Sequence, residues 1–425
     1  MAPWRALAAL SPRRLPAAAI LPPSRLLSTQ PPVPNDAHGH PALTLRLGAP
    51  LSLPSAFALV EPRLAPLREE LPTLVAADHP ALHEAARHFF TRGGKSFRPT
   101  LVLLASAAAA GGGEPSAAQA RLAQVVEMIH AASLLHDDVI DLAETRRGAK
   151  AVHKMLGNKV AVLSGDFLLA RATRLLARLG DAEVVGLMAD VIDEMVAGEM
   201  MQAKATPKDL LSMEHYLHKT YRKTAALIAL SCESAAVLGQ HSAEVRAALQ
   251  AYGRHLGIAY QLIDDLLDFT SRSSSPLCLP SPRVQSIPSP PSPPPLHTTH
   301  CPPPLASHAT PYTRCTRLPP AAACSSDELG KPALSDLKQG LATAPTLFAL
   351  QQFPQIEEVI VRRFSDEGDV AKVVEYITQS DGFNRTKELA TNHSQRAAQA
   401  IGVLPPSASR DGLLRLCSDV LNRNA

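Results

Sequence analysis

The stretch from Glu127 to Gly148 reads EMIHAASLLHDDVIDLAETRRG. Its apolar residues recur at three- and four-residue steps, the spacing of a helix with one buried face. The helix delivers an acidic run at its end, Asp137-Asp138-Val139-Ile140-Asp141. A second stretch, Gln261-Leu262-Ile263-Asp264-Asp265-Leu266-Leu267-Asp268, repeats the pattern D-D-x-x-D after another apolar helical segment. Residues four apart share a helix face, so Asp137 points with Asp141 and Asp264 with Asp268. Three negative charges on about one turn are unfavourable unless cations are present. Hard carboxylate oxygens suit Mg²⁺, which takes one or two carboxylates together with substrate phosphate oxygens and water. A single such run also describes a solvated helix face. Two of them, the first followed by a basic pair, point to metal and an anionic guest.

Cations to match occur elsewhere in the chain. Gly93-Gly94-Lys95-Ser96-Phe97-Arg98-Pro99 sets two of them beside flexible backbone at a helix start, and Arg146-Arg147 follow Asp141 by one to two turns. Lys223-Thr224 lies inside a helical stretch, with Lys331 and Lys338 further on. Each alone reads as surface charge. As a set they suit two diphosphates, one held through metal and one held directly by Arg and Lys.

Working outward, helical periodicity continues through 82–92, 117–145, 158–179, 181–204, 212–239 and 243–269, with Gly pairs or Pro at the joins. No sustained period-two alternation and no fixed internal repeat interrupts it. The class is all-α, a single large bundle of long helices. Two segments stand apart by their proline. Residues 1–35 hold eight of the 38 prolines and residues 271–324 hold fifteen. Each also carries four Arg, no Lys and no acid, so the formal charge of +3 hides a helical remainder that is net acidic. The basic balance therefore argues for no nucleic-acid partner.

Residues 1–35 have the Arg-rich, acid-free composition of an organelle transit peptide, and Arg25-Leu26-Leu27-Ser28-Thr29 favours the mitochondrion, with the plastid as alternative. Residues 271–324 cannot bury enough apolar area to offset ordering entropy and read as a disordered insertion, within a domain spanning 36–425. Four of the six Cys fall in that insertion without zinc-type spacing. No uninterrupted apolar run reaches membrane-spanning length. Glu127-Met128-Ile129-His130 is a literal E-x-x-H of the di-iron type, but no second copy lies on a periodic helix.

Together these motifs resemble those of the trans-type polyprenyl diphosphate synthases, most closely the long-chain members that make solanesyl or decaprenyl diphosphate. The resemblance rests on GGKSFRP (93–99), EMIHAASLLHDDVIDLAETRRG (127–148), GNKVAVLSGDFLLARA (157–172), HKTYRKTA (218–225), GIAYQLIDDLLDF (257–269) and ELGKPALSDLKQG (328–340). It implies the all-α isoprenoid synthase fold around a deep central cavity, and about three Mg²⁺ ions in each active site. By the same resemblance, Asp137, Asp138, Asp141, Asp264, Asp265 and Asp268 hold the metal. Arg146 and Lys331 meet the allylic diphosphate, Lys338 is a weaker match to another substrate-binding lysine of the family, and Lys95, Arg98, His130 and Arg147 hold isopentenyl diphosphate. Lys223, Thr224 and Gln261 line the reacting centre. The implied reaction condenses isopentenyl diphosphate head-to-tail onto an allylic diphosphate, supplying a quinone side chain. The family assembles as dimers, so a homodimer is expected with a heteromer as alternative, and release of product involves peripheral membrane contact. A silent subunit of a heteromeric synthase is the alternative function.

Product length is expected to follow the wall one turn above the first aspartates. Short-chain relatives carry an aromatic floor there, whereas this chain has Ile129, Ala132 and Ser133. Replacing Ala132 by Phe or Tyr should shorten the product, and an unchanged length on chromatography would contradict that role.

Overall fold

The computed structural model describes residues 55–91, 96–270 and 334–423. The expected leader and insertion lie outside these, as do Lys95 and Lys331. The described chain is helical almost throughout: α1 (Ala56–Leu74), α2 (Pro80–Thr91), α3 (Phe97–Ala109), α4 (Ala117–Ile140), α5 (Val152–Leu156), α6 (Asn158–Leu179) and α7 (Ala182–Ala203). There follow α8 (Pro207–Leu210), α9 (Met213–Thr220), a π-helical turn at Tyr221–Ala225, α10 (Ala226–Leu238) and α11 (Ala243–Thr270). After the undescribed stretch come α12 (Ser335–Lys338), α13 (Ala344–Leu350), α14 (Glu357–Val361), α15 (Asp369–Gln379), α16 (Gly382–Ala400) and α17 (Ala408–Leu421).

The periodic windows and the helices agree closely, with two differences. The helix expected to run to residue 145 ends at Ile140, and Thr145–Arg146 (β1) pairs antiparallel with Ala149–Lys150 (β2). Arg147 and Gly148, with φ of 51° and 70°, form the turn, the left-handed pair that a two-residue hairpin of type I′ requires. Arg146-Arg147 thus sit on a hairpin, not on a continued helix. The helix expected over 212–239 is broken into α9, the π turn and α10. An inserted residue in a turn leaves the apolar spacing nearly intact, so periodicity alone does not reveal it.

Helix α10 is the centre of the bundle. Its sequence ALIALSCESAAVL is apolar nearly all round, as a helix surrounded by other helices must be, and its residues are buried almost without exception. It packs against α3, α4, α7 and α11. Small residues set the spacing to α11: a Cβ at Gly253 would lie 2.7 Å from the Cα of Ala229, and one at Gly257 would lie 2.7 Å from the Cα of Ala225. α11 therefore rides directly on the backbone of α10 and the π turn. Its far side packs on α16.

At its C-terminal end α11 joins a second apolar cluster of Phe269, Leu334, Leu337, Ile356, Val359 and Ile360. Here the Asp268 carboxylate accepts from the backbone N–H groups of Ser335 (3.1 Å) and Asp336 (3.2 Å). The two chain segments flanking the undescribed stretch are thereby joined side by side, with α12 capped by an aspartate from another helix.

Gly257→Ala should lower stability by about 1–3 kcal/mol, because the added methyl meets backbone that cannot yield. Gly186→Ala, exposed on α7 with nothing within 4 Å of the new Cβ, should raise it by about 0.5–1 kcal/mol. Denaturant unfolding of the two variants checks the opposite signs, and a neutral Gly257→Ala would contradict the close approach.

Candidate active site

Helix α4 begins with a capping box: Ser116 Oγ accepts from the Gln119 N–H (3.2 Å) while Gln119 Oε1 accepts from the Ser116 N–H (2.8 Å). Gln119 also donates from Nε2 to the Ala235 carbonyl of α10 at 2.8 Å. Anchored at that end, α4 carries Asp137 to the rim of a cavity of about 360 Å³, with Asp141 just past its last turn. α11 brings Asp264, Asp265 and Asp268 to the same cavity. Two clusters 127 positions apart in sequence therefore converge on one space.

Asp138 alone among the six aspartates does not line the cavity. It is 2% exposed and faces the hairpin, where its Oδ1 accepts from Arg146 Nε at 2.9 Å. That pairing orients the guanidinium, so Arg146 and its neighbour Arg147 both line the cavity edge. Arg147 also lies over the Phe89 ring of α2, 4.9 Å from its centroid.

Burial governs the charge states. It lifts Asp137 to about 6, with the nearby charges of Glu199 and Asp141 adding to the rise and Lys223 opposing it. Burial likewise raises Asp265, and Asp336 adds like-charge repulsion. Asp265 is braced in return: Tyr216 Oη donates to Oδ2 (2.5 Å) and Gln261 Nε2 donates to Oδ1 (2.8 Å). Gln261 Oε1 accepts from Thr224 Oγ1 at 3.1 Å. A chain of hydrogen bonds thus runs from the π turn to the second aspartate cluster.

The π turn is what brings Lys223 and Thr224 to the cavity together; such turns recur at functional sites because they re-aim adjacent side chains. Gly198 of α7 permits the approach, since a Cβ there would lie 2.9 Å from the Lys223 nitrogen. Lys223 Nζ pairs with Glu199 Oε2 at 2.5 Å. Burial works against its ammonium, but Asp137, Glu199 and Asp141 outweigh it and raise the pKa.

Arg98 and His130 form a third group in the cavity lining. The Arg98 guanidinium donates to His130 Nε2 at 2.8 Å, which assigns the ring a neutral, Nδ1-protonated form. Burial pushes the His130 pKa well down, and the charges of Arg98, Arg147 and Arg146 push it further. Glu127 is buried near Arg98, its pKa raised by desolvation. Among the described residues no three His, Cys, Asp or Glu groups form a metal cage. Ser133 lines the cavity, whereas Ile129 and Ala132 are fully buried beneath that face of α4. Lys338 is exposed on α12 and does not line the cavity.

Several cavity residues escaped the sequence reading: Tyr216, Lys219, Asp336 and Arg423. Arg423 comes from the end of the described chain, donates to Asp264 Oδ1 at 3.3 Å and lies 4.7 Å over the Tyr260 ring. No local pattern announces it. Lys219-Thr220 did carry a signal, because it duplicates Lys223-Thr224 within HKTYRKTA.

Comparison with known proteins agrees with this arrangement. Residues 79–276 match the profile of the family described as Polyprenyl synthetase. Solanesyl-diphosphate synthase 1, mitochondrial, of Oryza sativa subsp. japonica is 39% identical over 373 residues, covering 84% of this chain and 74% of that protein. The all trans-polyprenyl-diphosphate synthase PDSS1 of Mus musculus is 39% identical over 347 residues, covering 81% and 72%. Among solved structures, the polyprenyl synthase from Caulobacter crescentus CB15, complexed with calcium and isoprenyl diphosphate, superposes with a TM-score of 0.70 at 28% identity, covering 88% of this chain and 100% of that one. By site, fold and sequence, the chain belongs to the polyprenyl synthetase family.

Proposed function

We infer that the chain is a long-chain all-trans polyprenyl diphosphate synthase, a prenyltransferase joining isopentenyl diphosphate head-to-tail to an allylic diphosphate. The observation that carries this reading is the convergence of both aspartate clusters and of Arg98, Arg146, Arg147 and Lys223 on one cavity. A carboxylate-rich rim alone would repel a diphosphate. Carboxylates and cations together describe a site for metal and diphosphate. The relatives named for solanesyl and all-trans polyprenyl diphosphate synthesis support the same reaction, and nothing in the site favours a silent subunit.

The donor set fits Mg²⁺. Its ligands are hard oxygens, of the kind taken by an ion that uses one or two carboxylates and completes its shell with substrate. Asp137 and Asp141 from α4, and Asp264 and Asp268 from α11, would hold it. When bound, Mg²⁺ neutralises the charge of the departing diphosphate.

The chain's own groups do the rest. Asp138 fixes Arg146 against the allylic diphosphate, and Asp265 fixes Gln261. Arg98, oriented by neutral His130, and Arg147 hold isopentenyl diphosphate, with Lys95 assigned beside them and Lys331 to the allylic diphosphate. The Thr224 and Gln261 dipoles, locked by their mutual hydrogen bond, face positive charge as it develops on the allylic carbon. Holding the isopentenyl double bond beside that carbon converts the encounter into an intramolecular step. Loss of a proton restores an allylic product ready for another cycle.

The small side chain of Ser133 in the cavity lining leaves room for a growing chain. We assign residues 1–35 to a mitochondrial leader and 271–324 to an insertion within the synthase domain. Exposed Val162, Leu163, Val196 and Met200 on α6 and α7 supply apolar surface for a homodimer. No described helix is long and apolar enough to cross a membrane.

Purified protein given isopentenyl diphosphate, an allylic primer and Mg²⁺ should form products longer than about twenty carbons by mass spectrometry, and Asp137→Asn should cut turnover by roughly 100-fold or more. No elongation by folded protein would reject the reading. Ser133→Phe, which puts a ring in the cavity wall itself, should shorten the product at least as much as Ala132→Phe; a product as long as that of wild type would remove Ser133 from length control. Because Asp137 titrates near 6, protons compete there with Mg²⁺. Half-saturating Mg²⁺ should therefore rise as pH falls from about 7 to about 5.5, and a flat dependence would contradict metal binding at Asp137.

A further inference from the structure

The chain carries two lysine–threonine pairs, Lys219-Thr220 and Lys223-Thr224, and the reaction described above uses only the second. Both lysines and both threonines line the cavity. The boundary between α9 and the π turn falls between the pairs, and the two lysines serve different sides. Lys223 is held by Glu199 and faces the charges of Asp137 and Asp141, on the α4 side. Lys219 faces the charges of Asp265 and Asp336, on the α11 side.

Lys219 is also held in a defined place. Its Nζ lies 5.5 Å from the centroid of the Tyr216 ring, a cation–π arrangement. Tyr216 is itself fixed, donating to Asp265. Among the described residues no carboxylate oxygen lies within the 4.0 Å of an ion pair with this ammonium, in contrast to Lys223 at 2.5 Å from Glu199. A cation is thus placed at the cavity wall, oriented by an aromatic ring rather than neutralised by an acid. A compact ammonium on a flexible stem suits a phosphate oxygen arriving there.

We propose that Lys219 is a diphosphate-positioning residue, its ammonium meeting the allylic diphosphate from the α11 side while Lys223 meets it from the α4 side. The proposal rests on the functional reading above, and binding separates the two. Magnesium pyrophosphate is titrated by calorimetry into the full chain and into Lys219→Met and Lys219→Arg, with thermal melts confirming that each is folded. Lys219→Met should bind at least about ten-fold more weakly, and Lys219→Arg within about three-fold of wild type. In turnover, the KM for the allylic diphosphate should rise by about as much in Lys219→Met, with that for isopentenyl diphosphate within about two-fold. Binding by Lys219→Met within two-fold of wild type would overturn the proposal, and so would failure of the wild-type chain to bind magnesium pyrophosphate. If wild type binds it but forms no prenyl product, the synthase reading fails, while the Lys219 assignment still stands or falls on the binding comparison. Should Lys219→Met not fold, Lys219→Gln carries the same expectation.

Discussion

Six carboxylates, those of Asp137, Asp141, Asp264, Asp265, Asp268 and Asp336, line a single cavity of about 360 Å³. Charges of one sign held so close repel one another, and burial withholds the water that would screen them. The rise of Asp137 to about 6 and of Asp265 in the same direction records that cost. Much of the remaining structure answers it. Glu199 and Asp137 are met by Lys223, Asp264 by Arg423, and Asp265 by donors from Tyr216 and Gln261. Metal and diphosphate would complete what these groups begin.

The repulsion also demands rigidity, since α4 and α11 would otherwise relax apart. α10 supplies it. Its apolar girth packs on both, and Gly253 and Gly257 let α11 settle against its backbone. Close packing of small residues leaves little freedom to slide. The capping box at Ser116 secures the start of α4, and the Asp268 bonds to α12 secure the end of α11. Within each D-D-x-x-D run the aspartates then divide their labour. In the first, Asp138 turns away to hold Arg146; in the second, Asp265 is occupied by two donors. The outer members, Asp137, Asp141, Asp264 and Asp268, line the cavity, the last also accepting from the backbone of α12 with both oxygens.

The helices were legible because periodic apolar spacing records burial directly: α6, α7 and α11 begin and end within a residue or so of the windows that announce them. The aspartate runs were legible because their charge is costly and local. Other features lack any one-dimensional trace. The turn of Asp138 away from the cavity depends on helix rotation and on a hairpin that only Arg147 and Gly148 hint at. The π turn changes where Lys223 and Thr224 point without disturbing the apolar pattern. Arg423 reaches Asp264 across 159 positions, and Tyr216 reaches Asp265 across 49; no motif spans such distances. Ala132, expected as cavity wall, lies a layer behind Ser133 because successive residues on a helix differ by about 100°.

The central claim is that the two aspartate clusters form one metal–diphosphate site. A crystal structure of the full chain with Mg²⁺ and an unreactive allylic diphosphate analogue tests it most directly. The diphosphate should lie between α4 and α11, with Mg²⁺ joining its oxygens to Asp137 and Asp141 on one side and to Asp264 on the other. A diphosphate bound elsewhere, or bound here with either cluster free of metal, would contradict the claim.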